Sequence, residues 1–282
     1  MNNFIITLVI SLISTITNAS NFDDVEIKVT NANANVYMLK GAGGNIGVLA
    51  TETGLLLVDD QFAPLAKRIE SAMKSIVNKE LKYIVNTHFH GDHTGSNSYF
   101  SDKAPIFAHK NVRERLSKQD DKKQVALPVV TYEQGVNIYL ADEQITLSHF
   151  PSAHTDGDTI VYFNKANVLH TGDLFFEIGF PYIDLNHGGS VKGYLAAVKK
   201  IIAQIPDNVV IIPGHGKLTN KASYQSFAEM ISFSIQHVSK LLAEGKSEQE
   251  ILAIGIDEKY KHLSWSFISE EKWLKTLITD LK

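Results

Sequence analysis

The chain has 282 residues with a net charge of −4, 44% hydrophobic and 21% charged residues, and no cysteine. That length holds a sizeable core. The slight acidity and the lack of a basic run argue against nucleic acid or an anionic membrane as partner. Without cysteine there are no disulfides, no thiolate nucleophile, no thiolate metal ligand and no lipoprotein anchor, so any metal must be held by His, Asp or Glu.

In chain order, Phe4–Ile16 is apolar but too short to span a bilayer comfortably. With small residues at Thr17-Asn18-Ala19, it reads as a signal peptide over 1–19, although no Lys or Arg precedes it. The mature chain, 20–282, reads as one domain with a helical C-terminal tail, in the periplasm or outside the cell.

Short strands are predicted at Val25–Thr30, Val36–Leu39, Ile46–Ala50 and Leu55–Val58, the last ending in Asp59-Asp60. Pro64 opens a helix with Leu65, Ile69, Met73 and Ile76 on one face. Tyr83–Val85 and Ile106–Ala108 follow as strands, then a polar helix near Asn111–Lys118. The second half repeats the style, with strands at Val136–Leu140, Ile145–Phe150, Ile160–Phe163, Val168–His170 and Val209–Ile212. Ser190 N-caps a helix carrying Tyr194, Leu195, Val198, Ile201 and Ile202. From about Lys221 the pattern is helical; Trp265, Phe267, Trp273 and Leu274 are expected to cover the sheet or support a dimer. Two similar halves of strands and amphipathic helices imply an α/β fold, two packed sheets with helices outside.

Thr87-His88-Phe89-His90-Gly91-Asp92-His93-Thr94-Gly95 places four ligand-type side chains in six positions directly after a strand. In extended chain, residues two apart point the same way, so His88 and His90 can share one metal. Asp92 and His93, on the following turn, can face a second. Further candidates end later strands: His154, Asp173 in Gly172-Asp173, and His215 in Gly214-His215-Gly216. The remaining His109, His149, His170, His187, His237 and His262 lack ligand spacing and read as satisfied core or surface residues.

This ordered set of motifs, over about Val25 to Lys217, resembles the metallo-β-lactamase superfamily. The resemblance implies a four-layer αββα sandwich with two zinc ions per chain. It implies His88, His90 and His154 on the first metal, Asp92, His93 and His215 on the second, and Asp173 bridging both. A bridging hydroxide would attack the carbonyl of an amide, ester, lactone or thioester of a small molecule, with Asp92 relaying a proton. Retention of Asp173 resembles the lactonase, glyoxalase II and quinoprotein-relay-type hydrolases, and the phrase Asn186-His187-Gly188-Gly189-Ser190 resembles the last of these, while export leaves β-lactams open as substrates. Competing readings are an iron-dependent persulfide dioxygenase and a non-catalytic metal-binding envelope protein.

Around this set, Asp59 is expected to orient a ligand imidazole, as family resemblance implies, and Asp158 to play a similar supporting part. Gly41–Asn45 reads as a flexible hairpin tip, which the family resemblance implies can overhang the metals. The aromatic stretch Phe175–Asp184 either walls a substrate pocket or packs against the tail, and within it Tyr182 is the candidate for polarising a substrate carbonyl.

Overall fold

A computed structural model describes residues 22–118 and 126–282; the expected signal peptide lies outside them. The first sheet is made of β1 (Lys28–Asn33), β2 (Val36–Lys40), β3 (Ile46–Thr51), β4 (Gly54–Val58), β5 (Leu81–Val85), β6 (Ile106–His109) and β7 (Val130–Tyr132), neighbours in that order. β1 to β4 form an antiparallel meander, and β4 to β7 run parallel. The parallel crossovers carry helix α1 (Ala66–Ile76), the short α2 (Gly91–Thr94) and α3 (Asn97–Phe100), and α4 (Lys110–Ser117). The second sheet has the order β13 (Thr219–Asn220), β12 (Val210–Ile212), β11 (Val168–His170), β10 (Asp158–Phe163), β9 (Glu143–Phe150) and β8 (Gly135–Leu140). Helices α5 (Val191–Gln204), α6 (Lys221–Ala243), α7 (Glu248–Ile254), α8 (Glu258–Lys261) and α9 (Glu270–Leu281) complete the chain.

The period of two along the strands builds the layers. Leu56 and Val58 of β4 point between the sheets, meeting Val161, Val168 and Ile212 of the second sheet. Their neighbours Leu55 and Leu57 point outward onto Leu65, Ile69 and Met73 of the α1 region. In the second sheet, Ile160, Leu169 and Ile211 face the other way, onto Tyr194 and Val198 of α5, α6, and Trp273 of α9. Helix, sheet, sheet, helix is thus the stacking order. β3 and β4 are buried on both faces, which is why they read as nearly unbroken apolar runs.

Three expectations shift. β1 runs over Lys28–Asn33 rather than Val25–Thr30, because an edge strand is registered by its hairpin and not by its apolar residues: Lys28 pairs with Lys40, and Ala34 takes the turn at φ 47°. β7 and β13 have no strong sequence signal, being two or three residues long and largely exposed. Trp273 and Leu274 do cover the second sheet, whereas Trp265 and Phe267 lie in the loop between α8 and α9.

Candidate metal centre

The ligand loop is set by alternation. Phe89 points into a small apolar cluster with Ala108, Val112 and Leu116, which turns His88 and His90 to the opposite side. The chain then enters α2, whose first turn carries Asp92 and whose buried His93 faces back. His154 sits in the turn after β9, Asp173 in the short 3-10 turn Gly172–Leu174 after β11, and His215 just after β12. Four loops after strand ends therefore converge at one edge of the two sheets.

Two ligand groups result. One atom each from His88, His90, His154 and Asp173 lies within 4.8 Å of all the others, and so does one each from Asp92, His93 and His215. Asp173 stands between the groups. Its Oδ2 is 3.7 Å from His88 Nε2 and 3.4 Å from His154 Nε2, while its Oδ1 is 3.1 Å from His93 Nε2 and 3.4 Å from His215 Nε2. Asp92 Oδ2 lies 3.6 Å from His93 Nε2 and 3.4 Å from His215 Nε2. Close packing here demands bare backbone at two glycines. A Cβ on Gly214 would come 2.2 Å from Asp173 Oδ1, and one on Gly44 2.2 Å from the His93 ring.

Each imidazole is oriented through its other nitrogen. His93 Nδ1 donates to Asp59 Oδ2 at 2.7 Å. Thr87 donates to the same carboxylate twice, from its backbone N–H to Oδ1 and from its hydroxyl to Oδ2, both at 2.8 Å. With that hydroxyl proton committed, His88 Nδ1 must be the donor in its 3.1 Å contact with Thr87 Oγ1. His154 Nδ1 donates to the Tyr182 carbonyl at 2.8 Å, and His90 Nε2 to Asp184 Oδ2 at 3.0 Å. Asp59 itself adopts φ 62°, which aspartate tolerates, after β4.

These donations leave bare lone pairs pointing inward. His154 Nε2 and His90 Nδ1 face each other at 2.9 Å, an arrangement two neutral rings resist and a shared cation relieves. His88 Nε2 is likewise buried with no hydrogen-bond partner. A buried polar atom left so is costly unless something else satisfies it. The donor set, imidazole nitrogens plus carboxylate oxygens, fits a pair of divalent metal ions.

Electrostatics agree. Burial pushes His88 well below its ordinary value and His154 down to about 4, so both are neutral and available as ligands. Burial alone would lift Asp173, but His215, His93, His88 and His154 around it hold it well below the usual carboxylate range. Burial likewise opposes charge on His93 and His215, yet the carboxylates of Asp173 and Asp92 outweigh it, raising His215 to about 9. Without metal, these two rings carry the positive charge that metal would replace.

Other expected residues fall differently. Asp158 touches no ligand side chain; it accepts from Thr155 N at 2.8 Å and from the His154 backbone, fixing the His154 turn. The Gly41–Asn45 tip is pinned rather than free. Asn45 N donates to the Gly214 carbonyl at 2.7 Å, its side chain reaches the Pro213 carbonyl at 2.9 Å, and Gln61 Nε2 holds the Gly44 carbonyl. In the aromatic stretch, Phe175, Phe176, Phe180 and Ile183 are core, while Tyr182 is half-buried with its ring 5.7 Å from those of His90 and His154. His109 stacks on His149 at 3.6 Å, away from the metal ligands, and His170 is buried and bonded to the Asn45 carbonyl. His237 Nε2 bonds the Gly255 carbonyl, and His262 is exposed. His187 Nδ1 donates to Asp184 Oδ2 at 2.7 Å, so the same carboxylate oxygen serves His90 and His187. Neither Asp184 nor this use of His187 follows from spacing; an Asp three residues before a His at a helix entry was the one available signal.

The family profile described as the metallo-beta-lactamase superfamily matches residues 39–215, more than half of the chain. The chain belongs to that superfamily. A probable hydroxyacylglutathione hydrolase of Schizosaccharomyces pombe is 27% identical over 243 residues, 80% of this chain and 84% of that protein. The metallo-beta-lactamase IND-1 of Chryseobacterium indologenes is 23% identical, over 71% of this chain and 85% of that one. The solved metallo-beta-lactamase from Pontibacter korlensis superposes with a TM-score of 0.66 at 16% identity, covering 73% of this chain and 99% of that one. This superfamily member is accordingly a hydrolase of the metallo-beta-lactamase fold, and its two ligand groups are compatible with a binuclear metal site.

Proposed function

We propose that the protein is an exported hydrolase with two zinc ions per chain, acting on an amide, ester, lactone or thioester bond of a small molecule. The observation that carries this is the pair of bare, facing nitrogens of His90 and His154, set beside the buried, partnerless His88 Nε2. His88, His90, His154 and Asp173 would hold one ion, and Asp92, His93 and His215 the other, with Asp173 between. A nitrogen and oxygen set without thiolate suits zinc. When bound, such ions supply Lewis acidity, polarising a carbonyl and acidifying water.

The chain's own groups do the rest. Asp59, Asp184 and the Tyr182 carbonyl hold the imidazole protons outward. Asp92 is the most accessible of the carboxylates in the two groups, with 23% of its side chain exposed. Burial opposes its ionisation, but His93 and His215 hold it below its ordinary value, so it is ionised at neutral pH and offers a carboxylate oxygen as hydrogen-bond acceptor in a proton relay. Tyr182 is raised by burial and by Asp184, so its phenol stays protonated and able to donate to a developing oxyanion. Resemblance to hydroxyacylglutathione hydrolases and to a metallo-beta-lactamase leaves thioesters and β-lactams as the first substrates to try. The test is turnover of a glutathione thioester, a lactone and nitrocefin by zinc-loaded protein. We expect hydrolysis of at least one, abolished by chelation and restored by zinc. Inactivity on all three, with iron uptake and oxygen consumption on a persulfide, would replace this reading with the dioxygenase.

A further inference from the structure

The loop between α8 and α9 brings aromatic side chains from the C-terminal tail to the metal centre. The Trp265 ring lies 6.1 Å from that of His215 and 5.7 Å from Phe267. Phe267 in turn meets Tyr182 at 5.5 Å, and Tyr182 stands beside His90 and His154. One strip thus runs past both ligand groups. It is fixed in place: Trp265 Nε1 donates to the Phe180 carbonyl at 2.9 Å, and Phe180 N to the Leu263 carbonyl at 3.0 Å. Yet Phe267 is 51% exposed, and Ile178, on the segment that leads from Asp173 to Tyr182, is 38% exposed. Rigid apolar groups left open beside a reaction centre bind without a further ordering cost.

Lys272, on α9, closes the strip. Its ammonium lies 4.0 Å over the Phe267 ring and 5.4 Å from that of Tyr182, and donates to the Phe267 carbonyl at 3.1 Å. Among the described residues it forms no ion pair, unlike Lys275 one turn later, which pairs with Glu271.

We propose that Trp265, Phe267 and Tyr182 form a subsite for the flat apolar body of an anionic acyl substrate, whose negative group sits on Lys272. This rests on the hydrolase reading for its purpose, but binding can be measured without turnover. Trp265 is one of two tryptophans, and the other, Trp273, is fully buried, so fluorescence reports the strip. Zinc-loaded full-length protein would be titrated with 4-phenylbutyrate, its amide and acetate. The proposal predicts that 4-phenylbutyrate binds at least tenfold tighter than acetate, and that Trp265→Phe abolishes the signal. Phe267→Ala should weaken 4-phenylbutyrate at least fivefold. Lys272→Met should remove most of the preference for acid over amide while leaving acetate, which can reach the metals, unchanged. Equal binding of 4-phenylbutyrate and acetate, or normal binding by Phe267→Ala and Lys272→Met at normal zinc content, would overturn it. If these binding results appear but no acyl bond is cleaved, the hydrolase reading fails and the subsite stands.

Discussion

Replacing Asp59 with asparagine changes which nitrogen of two ligand histidines carries its proton. Asp59 is fully buried and accepts three hydrogen bonds, from Thr87 N–H, Thr87 Oγ1 and His93 Nδ1. Asparagine keeps the shape and tolerates φ 62°. Its carbonyl can still serve the Thr87 N–H, but its NH2 then faces two donors. His93 must move its proton to Nε2, which points at Asp173 Oδ1 from 3.1 Å and is the nitrogen a metal needs. The Thr87 hydroxyl turns toward His88 Nδ1, pushing the His88 proton to Nε2 as well. One ligand in each group is spoiled. Loss of such orienting partners costs about 10–100-fold in metal affinity, or about 1.4–2.7 kcal/mol. The assay is zinc competition against a fluorescent chelator, with thermal melting of the metal-free protein as control. We expect near-normal melting and weakened zinc at both positions. Zinc affinity within threefold of wild type would refute the tautomer argument.

Asp184→Ala removes the acceptor for His90 Nε2 and is expected to weaken one zinc about 10–100-fold while sparing the other, read in the same competition. Metal uptake should release protons from His93 and His215; with His215 at about 9, apparent affinity should rise with pH up to that value, by about tenfold per pH unit for each proton displaced, and calorimetry in buffers of different ionisation enthalpy will count them. The His109–His149 stack should make the fold acid-sensitive. Burial, and then the His149 ring, depress His109 to about 4, below its unfolded value of about 6.5, so its stabilisation is present above pH ~6.5 and lost as pH falls toward 4. Denaturant unfolding of His109→Gln against wild type should show that pH slope reduced by about 1.4 kcal/mol per unit in this window, and equal slopes would contradict it. Gly214→Ala drives a methyl onto Asp173 Oδ1 and should abolish binding of both ions with less effect on melting; retained zinc would show that the loop yields.

The layers were legible from local alternation, and so was the pairing of His88 with His90; the rest of the candidate ligand set was marked by strand ends and family resemblance. Buried strands announce themselves as apolar runs, and His88, His90 and Phe89 sort onto two sides by the same period of two. Asp59 was legible only as a strand-end aspartate that family resemblance marked. What stayed hidden depends on pairings far apart in sequence. Asp184 reaches back 94 positions to His90, and His187, three residues after it, was the one local hint of its role. The carbonyl of Tyr182, rather than its side chain, orients His154, a role no residue type encodes. The Gly41–Asn45 tip looked flexible by composition, but its glycines mark close approach to His93 and Asp92, and its Asn45 is bonded to Gly214. The tail pattern predicted helices correctly and so obscured the short irregular loop that carries Trp265 and Phe267 to the metal centre.

The most direct test of the two-metal centre is an anomalous diffraction map, recorded at the zinc edge, from crystals of the zinc-loaded protein. We predict two zinc peaks about 3.5–4 Å apart, one ringed by His88, His90 and His154, the other by Asp92, His93 and His215, with Asp173 between. A single peak, or one that leaves His93 and His215 without metal, would contradict the account.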